Sequence, residues 1–208
     1  MRQLFKRVDF LKNTEIKSLV DARLKSFKEF NEKSNEELFI ELCFCILTAN
    51  FNAERSIKIQ EEMADEFLTI PETELAKRLK QFGHRYPNAR AEYIVKARQY
   101  IKTIKNVLEK FNDEKRLREW LVKNVKGLGY KEASHFLRNI GYENLAIIDF
   151  HIIDVLVKHG IIEKPKTLTR RKYLKIEEIL RRIAARLELT VAELDLYLWY
   201  IETGKILK

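Results

Sequence analysis

A lysine set directly behind a glycine turn is the feature of this chain best suited to covalent chemistry. Lys126-Gly127-Leu128-Gly129-Tyr130-Lys131 runs on into Glu132-Ala133-Ser134, and Asp149 closes the apolar run Ala146-Ile147-Ile148. A lysine becomes a nucleophile by losing its proton, which burial or neighbouring positive charge assists. Lys131 would lie in the first turn of a helix, where the positive end of the macrodipole and nearby Lys126 both disfavour an ammonium. Asp149 supplies a carboxylate; it reads equally well as the N-cap of a helix opening at Phe150, and the two roles are compatible.

The elements around these residues must hold them. Residues 118–125 have helical spacing, with Trp120, Leu121 and Val125 on one side, and residues 133–140 show it again before Gly141. Two helices therefore flank a tight turn. Its glycines permit positive φ and leave room for a close neighbour, so backbone N–H groups at the start of the second helix can meet a phosphate. Lys126, Gly127, Gly129 and Tyr130 are the candidate phosphate-contacting residues.

The rest of the chain reads as helix. With 6 glycines and 3 prolines in 208 residues, breakers can be placed one by one. Gly83, Gly141, Gly160 and Gly204 look like residues just past helix C-termini, and Pro71 and Pro87 like helix starts. Thr190-Val-Ala-Glu193 is a capping box. The spacing predicts about ten helices, at 14–32, 35–49, 53–67, 72–82, 88–110, 114–125, 131–140, 150–159, 169–187 and 191–203, with no strand alternation. The fold class is all-α.

A formal charge of +9 is the sign expected of a protein that neutralises phosphates. Clustering strengthens the point: Lys164, Lys166, Arg170, Arg171, Lys172 and Lys175 lie close together, followed by Arg181, Arg182 and Arg186. The 2 cysteines, Cys43 and Cys45, share an apolar helix. They cannot supply the four thiolates of an iron–sulfur cluster and are read as core residues in a reducing cytosol. No apolar run approaches the roughly 20 residues of a membrane span. The chain is therefore expected to be soluble, intracellular (cytoplasmic, at the nucleoid), and by default a monomer. His84, His135, His151 and His159 lack metal-ligand spacing and are read as structural, so no metal site is expected.

Residues 126–139 (KGLGYKEASHFLRN), with Ile147-Ile148-Asp149, resemble the helix-hairpin-helix DNA glycosylases. More narrowly, they resemble the second, archaeal-type class of 8-oxoguanine DNA glycosylase/AP lyases. Further segments of that class are residues 43–50 (CFCILTAN), 83–86 (GHRY), 169–173 (TRRKY) and 199–208 (WYIETGKILK), so the likeness runs over nearly the whole chain.

The resemblance implies two helical lobes, residues 35–148 forming one and 1–34 with 149–208 the other, with the hairpin at the cleft between them. It implies that Lys131 attacks the sugar C1′ with help from Asp149, displacing 8-oxoguanine from duplex DNA through a Schiff base and cutting the strand by β-elimination. Tyr86 and Trp199 match the positions that sandwich the oxidised base, although core packing is the other reading of both. Lys208 would recognise the base through its main-chain carboxylate. Asp195, one helical turn before Trp199, could accept hydrogen bonds from the base or be an ordinary exposed helix carboxylate. No organic cofactor or cluster is implied, though a hairpin carbonyl could hold a monovalent cation against a phosphate. Phe150 departs from the pattern, standing where a basic residue is expected, which puts a backbone contact beside the pair in question. Two other readings share these residues: a glycosylase for another damaged base, and a DNA-binding module without catalysis.

Overall fold

The computed structural model describes residues 1–208 as thirteen α-helices and one short 3-10 turn, with no strand. The all-α expectation holds. The chain divides into two compact units, Met1–Phe30 with Leu137–Lys208, and Asn31–Phe136.

The second unit is built around α3 (Asn35–Thr48). Its residues from Leu38 to Thr48 are buried apart from Ile40, so the helix is apolar nearly all round and must be enclosed. Helices α4 (Ala53–Met63), α5 (Glu66–Thr69), α7 (Pro87–Ala97) and α8 (Ile104–Glu109) enclose it, and α6 (Glu72–Gln81) packs on α7. Ser34 and Glu37 form a full capping box at the start of α3. Cys43 and Cys45 are wholly buried thiols, and burial pushes Cys43 well above the usual thiol range. α9 (Glu114–Asn124) and α10 (Tyr130–Asn139) follow, separated by the glycine turn.

In the first unit, α13 (Val191–Thr203) is central. It packs on α1 (Arg2–Leu11), α2 (Glu15–Phe30), α11 (Phe150–Lys158) and α12 (Arg170–Arg186). The capping box expected at Thr190 and Glu193 opens it, and Gly204 ends it in the left-handed conformation.

The observed elements correct the expected ones in three places. Residues 2–11 form α1, a helix outside the ten expected, which buries Leu4, Val8 and Leu11 at helical spacing. The single helix expected at 53–67 breaks at Ala64–Asp65 into α4 and α5, and Arg98 takes the carbonyls of Glu66, Phe67 and Ile70 where α5 ends. The helix expected at 88–110 breaks after the 3-10 turn Arg98–Tyr100. Asn35 holds that break open, donating to Lys102 O and accepting from Lys105 N–H. No helix is long and apolar enough to cross a membrane.

Candidate active site

The hairpin grows out of α9. Leu117, Leu121 and Val125 are buried, Trp120 lies edge-on to Tyr100, and Val125 N–H still bonds Leu121 O. The chain then turns at Gly127, whose φ is +94° and where a Cβ would overlap the Tyr93 ring. Only glycine satisfies both conditions. Gly129 is different. Its φ is not positive, and an added Cβ would meet only the end of the flexible Glu132 side chain, at 2.9 Å. One glycine of the pair bears the turn.

Glu132 closes the other side of the hairpin. Its Oε2 accepts Gly129 N–H at 3.0 Å, the reach-back of a capping box from the third residue of α10. Leu128 N–H bonds Val125 O at 3.2 Å. One of the amides expected to meet a phosphate, that of Gly129, is therefore engaged within the chain. Lys131, the second residue of α10, is half-buried, and its Nζ stands 3.4 Å from Glu132 Oε1. The neighbouring charge expected to act on it, Lys126, is paired elsewhere: it donates to Glu92 at 2.6 Å and lies over the Tyr93 ring. That contact raises Lys126 above the usual lysine range, and Lys126 with Lys96 holds Glu92 down at about 2. Tyr130 donates its hydroxyl to Glu119, and the buried Arg118 guanidinium faces its ring and bonds Ser134 Oγ.

Tyr86 caps α7 and is 40% exposed. Its N–H donates to His84 Nδ1, while His84 Nε2 meets Leu47 O, which fixes the Nε2–H tautomer of a ring whose pKa burial lowers. Arg90 lies against both Tyr86 and Tyr93 and donates to Ala49 O at 2.6 Å. His84 is structural, as expected.

Asp149 is the N-cap of α11, its Oδ1 accepting Ile152 N–H at 2.9 Å. The extended residues before it are fixed by α12. Tyr173 Oη donates to Ala146 O at 2.6 Å and accepts Ile148 N–H at 3.3 Å, and Glu177 Oε1 accepts Ala146 N–H at 3.0 Å. Tyr173 and Glu177 thus hold the stretch of backbone that leads into Asp149, a pairing across 25 to 31 residues that leaves no local mark in the sequence.

Asp195 is not an exposed helix carboxylate. It is buried and accepts from Arg138 Nη1 at 2.6 Å. Burial raises its carboxyl to about 6, with Arg138 opposing and the charge of Asp149 adding to the rise. Trp199, one turn on, is half-buried, lies edge-on to His151 at 4.7 Å between ring centroids, and buries an indole N–H that has no partner. Phe150 is 66% exposed and leans on His151. Lys208 is half-buried. Asp149, Asp195 and Trp199 thus belong to one unit, and Lys126, Gly127, Gly129, Tyr130, Lys131 and Tyr86 to the other.

Two helices joined by a glycine turn, with a lysine in the first turn of the second, define a helix-hairpin-helix protein. A family model described as 8-oxoguanine DNA glycosylase matches residues 20–189, and the chain belongs to that family. It is 58% identical over 206 residues to a Methanocaldococcus jannaschii protein named 8-oxoguanine DNA glycosylase/AP lyase, covering 99% of both chains. A Korarchaeum cryptofilum protein of the same name is 56% identical, with 95% of this chain and 94% of that one covered. The fold matches the M. jannaschii glycosylase/lyase crystallised with a 15mer DNA containing 8-oxoguanine, at TM-score 0.96 and 57% identity over 99% of this chain and 100% of that one. The Thermotoga maritima 8-oxoguanine DNA glycosylase matches at TM-score 0.93 and 44% identity, over 100% and 99%.

Proposed function

We propose that this chain removes 8-oxoguanine from duplex DNA and cuts the strand at the resulting site, with Lys131 as nucleophile and Asp149 as its carboxylate partner. The observation that carries the reading is Lys131 in the first turn of α10, directly behind the Gly127 turn, in a chain that shares its whole length with a glycosylase/lyase crystallised on such DNA.

A base in a duplex hides its glycosidic bond, so the nucleotide must be rotated out at a cost of a few kcal/mol. Tyr86 and Trp199 offset this by stacking, at about 1 to 3 kcal/mol per base. Asp195 and Lys208 serve base recognition, Asp195 through the charge arrangement it sets with Arg138. Lys126, Gly127, Gly129 and Tyr130 form the face toward the DNA backbone.

The neutral amine of Lys131 attacks C1′. As the N–C1′ bond forms, the bond to the base breaks, and the base leaves with the electron pair and takes up a proton. Asp149 stabilises the positive charge that grows on the sugar. The sugar ring opens to an imine, and loss of the C2′ proton expels the 3′ phosphate. Side chains supply every step without a metal or organic cofactor; a monovalent cation held between a hairpin carbonyl and a phosphate would serve only binding.

Borohydride reduction during the reaction should trap a covalent protein–DNA adduct. Lys131→Gln should abolish it, and an adduct that survives the substitution would overturn the assignment.

A further inference from the structure

We propose that Glu132 is a third catalytic residue, the base that takes the ammonium proton of Lys131. This rests on Lys131 being the nucleophile, and it supplies what that reading leaves open, namely where the proton goes.

The geometry is unusual for adjacent helix residues, whose side chains point apart rather than toward each other. Glu132 meets its neighbour because its carboxylate is turned back toward the helix start, where Oε2 accepts Gly129 N–H at 3.0 Å. The same turn carries Oε1 to 3.4 Å from Lys131 Nζ. One oxygen anchors the group while the other faces the amine. The anchor does not depend on the charge of Lys131, so the carboxylate stays in place after the proton has moved.

The side chains are 22% exposed at Lys131 and 14% at Glu132, so bulk water has limited access to the pair as a proton acceptor. A further charge near Glu132, Arg90, comes from α7. The guanidinium of Arg90 responds to the charge of Glu132, and the Tyr86 and Tyr93 phenols flank it. This positive neighbour supplies a counter-charge to the carboxylate.

In the step itself an N–H bond of the Lys131 ammonium breaks and an O–H bond forms on Glu132. The lone pair left on Nζ is the one that attacks C1′. A permanent ion pair would do the reverse, holding the proton on the amine and suppressing attack. The two roles therefore predict opposite signs when the charge is removed.

Glu132→Gln keeps a side-chain oxygen for Gly129 N–H and removes the base. Single-turnover excision measured from about pH 6 to about pH 10 should fall about a hundredfold near neutrality and recover as the solution becomes alkaline, in line with the usual worth of a positioned base. Duplex affinity should change less than twofold. An unchanged or faster rate near neutrality would overturn the proposal, and so would a loss in Glu132→Gln that stays the same size at every pH. If Glu132→Gln does not fold, Glu132→Asp gives the same reading, since it keeps the charge but withdraws it from Nζ: a loss with alkaline recovery supports the proposal, and a rate equal to the parent sinks it. Borohydride trapping by the unsubstituted chain and by Lys131→Gln separates the two levels. Loss of trapping in the parent sinks the nucleophile assignment, whereas normal trapping with an unaltered Glu132→Gln profile sinks only the role of Glu132.

Discussion

Arg138 and Asp195 form a buried ion pair, 2.6 Å from Nη1 to Oδ2, with side chains only 5% and 9% exposed. The guanidinium is further held by Asn139 Oδ1 and lies over the Phe27 ring. Removing one partner of such a pair leaves an uncompensated buried charge, at a typical cost of about 3 to 5 kcal/mol. Arg138→Ala should therefore lower stability by about that much at neutral pH. The pH dependence has a definite sign. Asp195 titrates near 6 when folded against an ordinary 3.8, so the folded state takes up a proton between those values. This group favours folding at low pH and loses that contribution as pH rises through about 6. In Arg138→Ala the orphaned carboxyl can neutralise itself, so urea denaturation should show a smaller loss at about pH 5 than at about pH 7. Equal losses at both would show that the pair is not the source.

The two hairpin glycines should respond differently to substitution. Gly127→Ala combines a positive φ with overlap of the Tyr93 ring, and left-handed backbone alone costs about 1 to 2 kcal/mol for a residue with a Cβ. It should lower both stability and duplex affinity, and Tyr93→Ala should recover only the part due to the overlap. Gly129→Ala meets only the Glu132 carboxylate oxygen, which can shift at the loss of its bond to Gly129 N–H. Its stability loss, measured by thermal unfolding, should be clearly the smaller of the two.

The hairpin was legible in the sequence because its determinants are local: two glycines, flanking helical spacing and a lysine follow one another directly. The capping box at Thr190 and the helix end at Gly204 were legible for the same reason. What the sequence did not reveal is set by residues far apart in the chain. The break after Tyr100 depends on Asn35, and the end of α5 depends on Arg98. Neither leaves a trace in the periodicity of the helix it interrupts. Helix α1 is a different case, since Leu4, Val8 and Leu11 carry helical spacing in the sequence itself. At the site, Asp195 looked solvent-exposed because its buried partner is Arg138, on another helix.

Tyr173 offers a test of how Asp149 is positioned. Its hydroxyl bridges Ala146 O and Ile148 N–H, immediately before the carboxylate. Tyr173→Phe keeps the ring and strands two buried backbone groups, at about 1 to 3 kcal/mol. Excision at saturating substrate should fall while duplex affinity holds, because the change reaches the aspartate rather than the hairpin. A variant that loses stability but turns over at the parent rate would show that the bridge serves only the fold.

Glu92 holds Lys126 and Lys96 at 2.6 Å each, and so masks a cation on the hairpin. Glu92→Gln removes the masking charge and leaves Lys126 over the Tyr93 ring, free to meet a phosphate. Each lysine newly engaged with a phosphate adds about 0.9 to the slope of log affinity against log salt. Binding of undamaged duplex should therefore tighten at low salt, with a steeper salt dependence, and the gain should vanish at high salt. Lys126→Gln alone should do the opposite, and the double variant should match Lys126→Gln. If Glu92→Gln weakens duplex binding instead, the ion pair is what orders Lys126 for the phosphate, and its role as a mask is wrong.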